Sequence, residues 1–97
     1  MQITITARHC EVSERLKAHA EQGINRLERY FDHIISADLR LTQEKSRYTA
    51  ELNLHVLGTV LSSKEEDMDM QIVVDQVIEK VERQVKKYKE KLQDHRA

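Results

Sequence analysis

The chain has 97 residues, of which 39% are hydrophobic and 34% are charged, and its formal net charge is only -1. A chain of this length builds one modest core, so we predict a single domain over residues 1–97. With two glycines and no proline, a long loop closing over a deep active site is not expected. The chain has neither an apolar run of roughly 20 residues, as a bilayer span requires, nor the apolar core of a signal peptide. We therefore expect a cytoplasmic protein without a membrane partner.

The first third of the chain changes from a strand pattern to a helix pattern. Residues 2–7 alternate with a period of two, which places Ile3 and Ile5 on one face of a strand. Ser13 is a suitable N-cap for a helix that we predict to reach about His33. Apolar residues recur every three or four positions in this helix, at Leu16, Ala20, Ile24, Leu27, Phe31 and Ile34.

The period of two returns in the middle of the chain and predicts three further strands. One begins at Ala37, and a second covers residues 48–56 after a turn near residues 44–46. Gly58 marks the next turn, and residues 60–63 form a weaker fourth strand that leads into an acidic segment.

A last helix is predicted to begin near Asp69, because apolar residues again recur at spacings of three and four. They are Met70, Val74, Val77, Val81, Val85, Tyr88 and Leu92. The order β-α-β-β-β-α predicts a two-layer α+β fold, with a four-stranded sheet and both helices packed on one of its faces.

Charges are sorted by face on both predicted helices. At 100° per residue, the cations of the first helix share a stripe that is separate from its acidic residues. The cations of that stripe are Arg15, Arg26 and Arg29. In the last helix, Lys80, Arg83, Lys87 and Lys91 form a row, whereas Lys86 and Lys89 project elsewhere. Residues 64–75 include one basic and five acidic residues, and residues 83–97 include six basic and two acidic residues.

One basic run on an exposed helix is usually only solvated, but two basic stripes on helices packed side by side form a cationic surface that suits phosphates. We therefore predict RNA as the partner. Sequence-specific DNA reading is disfavoured, because the chain has no helix-turn-helix pair and no zinc-finger spacing. An enzyme is also disfavoured, because no nucleophile with its base, Gly-rich phosphate loop or metal-ligand spacing is present. We expect no cofactor, no bound metal and no small-molecule substrate.

The final third, EEDMDMQIVVDQVIEKVERQVKKYKEKL, resembles the last strand-to-helix segment of the bacterial ribosome hibernation proteins. This family includes hibernation promoting factors, the ribosome-associated inhibitor protein Y and the sigma-54 modulation proteins. RLERYFDHI and the opening MQITITARHCEVSERLKAH resemble the family too, so the resemblance covers essentially the whole chain. Three residues depart from the pattern, since Gln71 replaces a Tyr, and Ile72 and Val73 replace a pair of small residues.

The resemblance implies a fold similar in layout to double-stranded RNA-binding domains. It also implies binding to the small ribosomal subunit and its rRNA in the mRNA and tRNA channel near the A and P sites. Such proteins block translation in stationary phase or stress. The end of the chain soon after Leu92 is similar to the short hibernation promoting factors, which act with a separate ribosome modulation factor to form inactive ribosome dimers.

By this resemblance, the basic helix positions of the family correspond to Arg26, Lys80, Arg83, Lys87, Lys89 and Lys91. Helical geometry extends the predicted RNA-binding set to Arg15, Arg29 and Lys86. Two alternatives use the same helices: a protein-protein interaction module and a general binder of double-stranded RNA. The salt dependence of binding, its sensitivity to RNase and competition by free duplex RNA would distinguish them.

Overall fold

The computed structural model describes the backbone of residues 1–94 and the side chains of residues 1–92. The strands are β1 (Gln2–Arg8), β2 (Ile34–Glu44), β3 (Arg47–Val56) and β4 (Thr59–Asp67), and the helices are α1 (Glu14–Asn25) and α2 (Met70–Asp94). A short 3₁₀ helix, Arg26–Arg29, follows α1. The predicted β-α-β-β-β-α order and the α+β class are confirmed. Within the described residues, no helix is long and apolar enough to cross a membrane.

The four strands form one sheet in the order β1-β2-β3-β4. The β1–β2 pair is parallel, whereas β2–β3 and β3–β4 are antiparallel hairpins. The register aligns apolar residues across the strands, as in the pairs Leu39 with Leu52 and Leu54 with Leu61. One face of the sheet is thereby apolar, and α1 and α2 cover it.

The core lies between this sheet face and the two helices. The helices and the 3₁₀ segment contribute Ala20, Ile24, Leu27, Val73, Val74, Val77, Val81 and Val85, all at most 1% exposed. The strands contribute Ala37, Leu39, Leu41, Ala50, Leu52 and Leu54, to the same degree of burial. The valines of α2 have a low intrinsic helix propensity, so their burial stabilises this helix more than local preference does.

Both helices begin at a capping side chain. The Ser13 hydroxyl accepts a hydrogen bond of 3.1 Å from the Leu16 N–H, as the sequence predicted. The Asp69 carboxylate accepts one of the same length from the Ile72 N–H at the start of α2. Each cap satisfies a backbone donor that has no partner within the helix.

The predicted end of the first helix is wrong. The α-helix stops at Asn25, continues as the 3₁₀ helix and is followed by β2 from Ile34, three residues before the predicted strand start. The Tyr30 N–H bonds to the Leu27 carbonyl at 3.1 Å, which closes a tighter turn than an α-helix has. The chain can then reverse and enter the sheet.

The predicted end of the fourth strand is also wrong. Strand β4 runs to Asp67, so residues that we assigned to an acidic segment pair with β3. Glu65 forms an ion pair with Lys80 of α2, and Glu66 forms one of 3.1 Å with Arg47 of β3. Cationic neighbours therefore make the strand compatible with its acidic residues.

Candidate RNA-binding surface

All nine cationic side chains predicted to bind RNA are exposed, and all lie in the helical layer. Those on α1 and the 3₁₀ helix are Arg15, Arg26 and Arg29. Those on α2 are Lys80, Arg83, Lys86, Lys87, Lys89 and Lys91. Their exposure suits contact with a large polyanion. Which of them can contact the same RNA depends on the direction that each side chain takes from its helix.

The rotation of α2 is fixed by its buried valines, which face the sheet, so that one flank of the helix lies toward β4. The Gln84 side-chain amide donates a 2.6 Å hydrogen bond to the Ser62 carbonyl of β4. Ser63 donates one of 3.0 Å to the Val77 carbonyl of α2. These contacts hold the helix against the edge strand.

Part of the predicted basic row lies on this β4 flank. Lys80 pairs with Glu65 of β4. Lys87 and Lys91 follow Gln84 at steps of three and seven residues, which keeps them on nearly the same side of the helix. The flank is therefore cationic along the helix, although its first cation is already neutralised by a strand carboxylate.

The opposite flank of α2 faces α1 and is acidic. His19 of α1 lies 2.6 Å from the Asp75 carboxylate, measured from its Nε2 atom. Gly23 allows the helices to approach closely, since a Cβ built there would lie 2.9 Å from the Ile78 Cδ1 atom. Beyond this point the helices border an interhelical groove of about 210 Å³, lined by Gly23, Arg26, Tyr30, Asp75, Ile78, Glu79 and Glu82.

The structure adds acidic side chains to the region where the two helices meet, which was not predicted from the sequence. Asp75, Glu79 and Glu82 line the interhelical groove together with Arg26, and Glu79 pairs with Arg83 of the basic row. The sequence contained a signal for this arrangement, because Asp75, Glu79 and Glu82 recur at helical spacing. It did not show that this row, rather than the basic one, meets α1.

Three of the nine cations already have partners within the described residues. Lys80 pairs with Glu65, and Arg83 donates a 2.7 Å hydrogen bond to Glu79. The Lys86 ammonium lies 4.6 Å from the centroid of the Tyr30 ring, a cation–π contact. The remaining six form no ion pair with any described residue: Arg15, Arg26, Arg29, Lys87, Lys89 and Lys91.

The cationic side chains are densest in the last turns of α2, residues 83–92, which we name the α2 basic end. It has five basic residues and one acidic residue. Tyr88 anchors this segment to the fold. The Tyr88 hydroxyl donates a 3.0 Å hydrogen bond to the Leu57 carbonyl, and the Tyr88 ring packs edge to face with Phe31. From Lys89 to Leu92 every side chain is exposed. The α2 basic end is thus a cationic helix end, held to the rest of the fold by the contacts of Tyr88, that can approach a phosphate backbone.

No cluster of metal ligands accompanies this surface in the part of the chain that the structure describes. There, no three His, Cys, Asp or Glu side chains lie close enough together to hold a metal ion. Cys10 is half-buried, with its thiol 3.8 Å from the Leu41 carbonyl.

Comparison with known proteins identifies relatives over nearly the whole chain. The family model described as sigma 54 modulation protein / S30EA ribosomal protein matches residues 3–93. A ribosome hibernation promoting factor of Escherichia coli K12 is 36% identical over 95 residues, which cover 98% of this chain and 100% of the relative. One from Azotobacter vinelandii is 37% identical over 91 residues, covering 94% of this chain and 85% of the relative.

Solved structures share the fold. The N-terminal domain of Thermus thermophilus Protein Y superposes with a TM-score of 0.84 at 27% identity, covering 91% of this chain and 99% of that one. A ribosomal subunit interface protein from Coxiella burnetii gives a TM-score of 0.85 at 26% identity, covering 92% and 98%. The resemblance found in the sequence is thereby confirmed. This chain belongs to the sigma 54 modulation protein / S30EA ribosomal protein family, which includes the ribosome hibernation promoting factors.

Proposed function

We propose that this protein is a ribosome hibernation factor. In this proposal it binds the small ribosomal subunit in the mRNA and tRNA channel near the A and P sites, blocks translation and promotes inactive ribosome dimers in stationary phase. The observation that carries the proposal is an α2 basic end on a chain that matches the family from residue 3 to residue 93. The names of the relatives support the hibernation role.

The proposed mechanism is electrostatic attachment followed by fit of shape. Each lysine that neutralises an rRNA phosphate releases condensed counterions, which makes binding strong at low salt. Lys87, Lys89 and Lys91 are best placed for this step, because none has an acidic partner among the described residues. Phosphate contacts carry little sequence information, so the shape of the rRNA and of the channel selects the position.

The acidic interhelical groove restricts the orientation of the bound protein. Glu82, which forms no ion pair with a described residue, would repel a phosphate backbone laid evenly across both helices, whereas Glu79 is paired with Arg83. We therefore expect rRNA to contact the two sides of the groove, with the α2 basic end on one side and Arg15, Arg26 and Arg29 on the other. The protein acts in the cytoplasm by occupying space rather than by catalysis, together with a ribosome modulation factor.

Co-sedimentation with purified small subunits and intact ribosomes tests the proposal. Salt is varied from about 50 to about 500 mM, with and without mRNA and initiator tRNA as competitors. We expect saturation near one protein per small subunit, loss of binding on competition and a steep decline with salt. The inactive ribosome dimers are measured separately by sucrose-gradient profiles with added modulation factor.

The controls separate the alternative functions. A general binder of double-stranded RNA would be removed from ribosomes by free duplex RNA, and a protein-interaction module would keep its partner after RNase treatment and at high salt. Binding that ignores mRNA and tRNA would contradict the proposed channel site. Absence of binding at the lowest salt would contradict ribosome association altogether.

A further inference from the structure

The row of α2 side chains that lines the interhelical groove changes sign at Lys86. Asp75, Glu79 and Glu82 line the groove. Lys86 and Lys89 continue the same row at steps of four and three residues. The acidic part of this row is therefore followed, further along α2, by two cations.

Lys86 contacts an aromatic ring although its own helix offers two carboxylates. Glu82 and Glu90 lie four residues before and after it, the spacing at which ion pairs form on a helix. The Lys86 ammonium instead lies 4.6 Å from the centroid of the Tyr30 ring and forms no ion pair with a described residue. A ring attracts a cation without neutralising it, whereas a carboxylate cancels its charge. Lys86 thus keeps its full charge for a further partner.

Tyr30 is held in place by the rest of the fold and can therefore direct Lys86. Its side chain is half-buried and packs against the core. Its N–H bonds to the Leu27 carbonyl at 3.1 Å at the end of the 3₁₀ helix. The cation–π contact therefore ties Lys86 of α2 to the segment that follows the 3₁₀ helix. We name the site formed by Tyr30 and Lys86 the groove end.

Two further cations belong to the 3₁₀ helix that precedes Tyr30. Arg26 lines the groove together with Tyr30. Arg29 lies three residues after Arg26, and side chains at this spacing eclipse one another on a 3₁₀ helix. Neither arginine forms an ion pair with a described residue. Lys86 is thus the α2 cation whose position is tied to the segment that bears Arg26 and Arg29.

A phosphate group suits the groove end better than a nucleic-acid base does. The Lys86 ammonium lies over the Tyr30 ring, and the rest of this half-buried side chain packs against the core. The ring is therefore not available as a platform on which a base could stack. A phosphate oxygen can accept a charge-assisted hydrogen bond from the ammonium, which has N–H groups directed away from the ring.

We infer that Lys86, positioned by Tyr30, binds a phosphate of the RNA backbone at the groove end. Tyr30 is then a positioning residue for an RNA contact and does not stack on a base. The inference rests on the proposed function, and it adds a contact that joins the two sides of the acidic groove.

Co-sedimentation of the full chain with small subunits tests the contact. Lys86→Gln should reduce the magnitude of the salt slope by about 0.7–0.9, as the loss of one phosphate contact does. Lys64→Gln is the matched control, because Lys64 is an exposed lysine on the sheet face that the helices leave uncovered, and it should leave the slope unchanged. At about 100 mM salt, Tyr30→Leu should weaken binding roughly two- to fivefold, because Lys86 is released to pair with Glu82 or Glu90.

Two comparisons separate the positioning role of Tyr30 from a merely structural one. Tyr30→Phe keeps the ring and should bind small subunits as the wild type does. In a Lys86→Gln background, Tyr30→Leu should cause no further loss of affinity, whereas a loss caused only by weaker packing would persist there.

Nuclear magnetic resonance of the free protein tests the contact without ribosomes. The ring current of Tyr30 should shift the side-chain proton signals of Lys86, and Tyr30→Leu should return them to ordinary lysine values. Lys89, an exposed lysine of the same row, is the control and should not change. Lys86 signals that are unaffected by Tyr30→Leu would overturn the inference.

The binding results distinguish this inference from the proposed function. Absence of wild-type binding to small subunits would contradict the proposed function and the groove end with it. Wild-type binding that Lys86→Gln leaves unchanged would overturn the groove end alone. Equal losses from Tyr30→Leu with and without Lys86 would also overturn it alone.

Discussion

Lys87 and Lys91 provide the sharpest test of the proposed RNA contact, because both are exposed and neither pairs with a described acidic residue. In a Lys87→Gln/Lys91→Gln variant, affinity should decline less steeply with salt. Each lost phosphate contact reduces the magnitude of the slope of log K against log salt by about 0.7–0.9. The magnitude of the slope should therefore decrease by about 1.4–1.8. Between about 50 and about 200 mM salt, the affinity ratio of the wild type to the variant then changes roughly tenfold. Co-sedimentation with small subunits at four or more salt concentrations measures this slope.

A control variant removes the same charge from the same helix. Lys80 and Arg83 already pair with Glu65 and Glu79, so Lys80→Gln/Arg83→Gln should lower the salt slope by less than half as much. Both variants change exposed side chains, and their free energies of unfolding should stay within about 0.5 kcal/mol of the wild type. If the two variants lower the slope equally, pairing within the protein does not decide which cations bind RNA.

Three further predictions concern stability and are measured by urea unfolding. Asp69→Ala should lower the free energy of unfolding by about 1 kcal/mol, because the Ile72 N–H loses its acceptor. Asp69→Asn should retain most of the stability. Equal losses in the two variants would contradict the capping role. Gly58→Ala should cost about 1–2 kcal/mol, because Gly58 has a φ of 99°, where a Cβ is strained. That Cβ would also lie 3.0 Å from the Tyr88 hydroxyl, so the loss should be smaller in a Tyr88→Phe background, and an equal or larger loss there would contradict this contact. Tyr88→Phe alone should cost about 1 kcal/mol for the hydrogen bond to the Leu57 carbonyl, and an unchanged stability would show that this bond contributes nothing.

The fold could be predicted from the sequence because most of its elements have one apolar face. In β3, every second residue from Ala50 to Val56 is buried, so the period of two was complete in the sequence itself. The same holds for α2, where Val77, Val81 and Val85 repeat every four residues and all are buried. Local periodicity and the Ser13 cap therefore sufficed for the order and type of the elements.

The ends of the elements could not be predicted in the same way, because a longer helix and an earlier strand would both bury the same apolar residues. Leu27, Phe31 and Ile34 are spaced as on a helix, yet Leu27 lies in a 3₁₀ helix, Phe31 in an irregular segment and Ile34 in a strand, and all three are buried. A continued α-helix would also bury these residues, so the path that the chain takes through the whole fold decides where the helix ends. The acidic residues of β4 were likewise misread, because their partners Lys80 and Arg47 are distant in sequence.

The candidate surface was predictable as a set of exposed cations but not as an arrangement. A helical projection gives the angle of each side chain around its own axis, and it does not say which neighbour a given angle faces. Packing of the α2 valines on the sheet turns Lys80 toward β4 and Asp75 toward His19 of α1. Carboxylates therefore line the groove where the helices touch. Within α2, Lys87, Lys89 and Lys91 form no ion pair with a described residue, and the last two lie beyond Tyr88, where the helix extends past its last core contact. Attraction to a polyanion should therefore depend more on this end of one helix than on the combined face of both, which is why substitutions at Lys87 and Lys91 should outweigh those at Lys80 and Arg83.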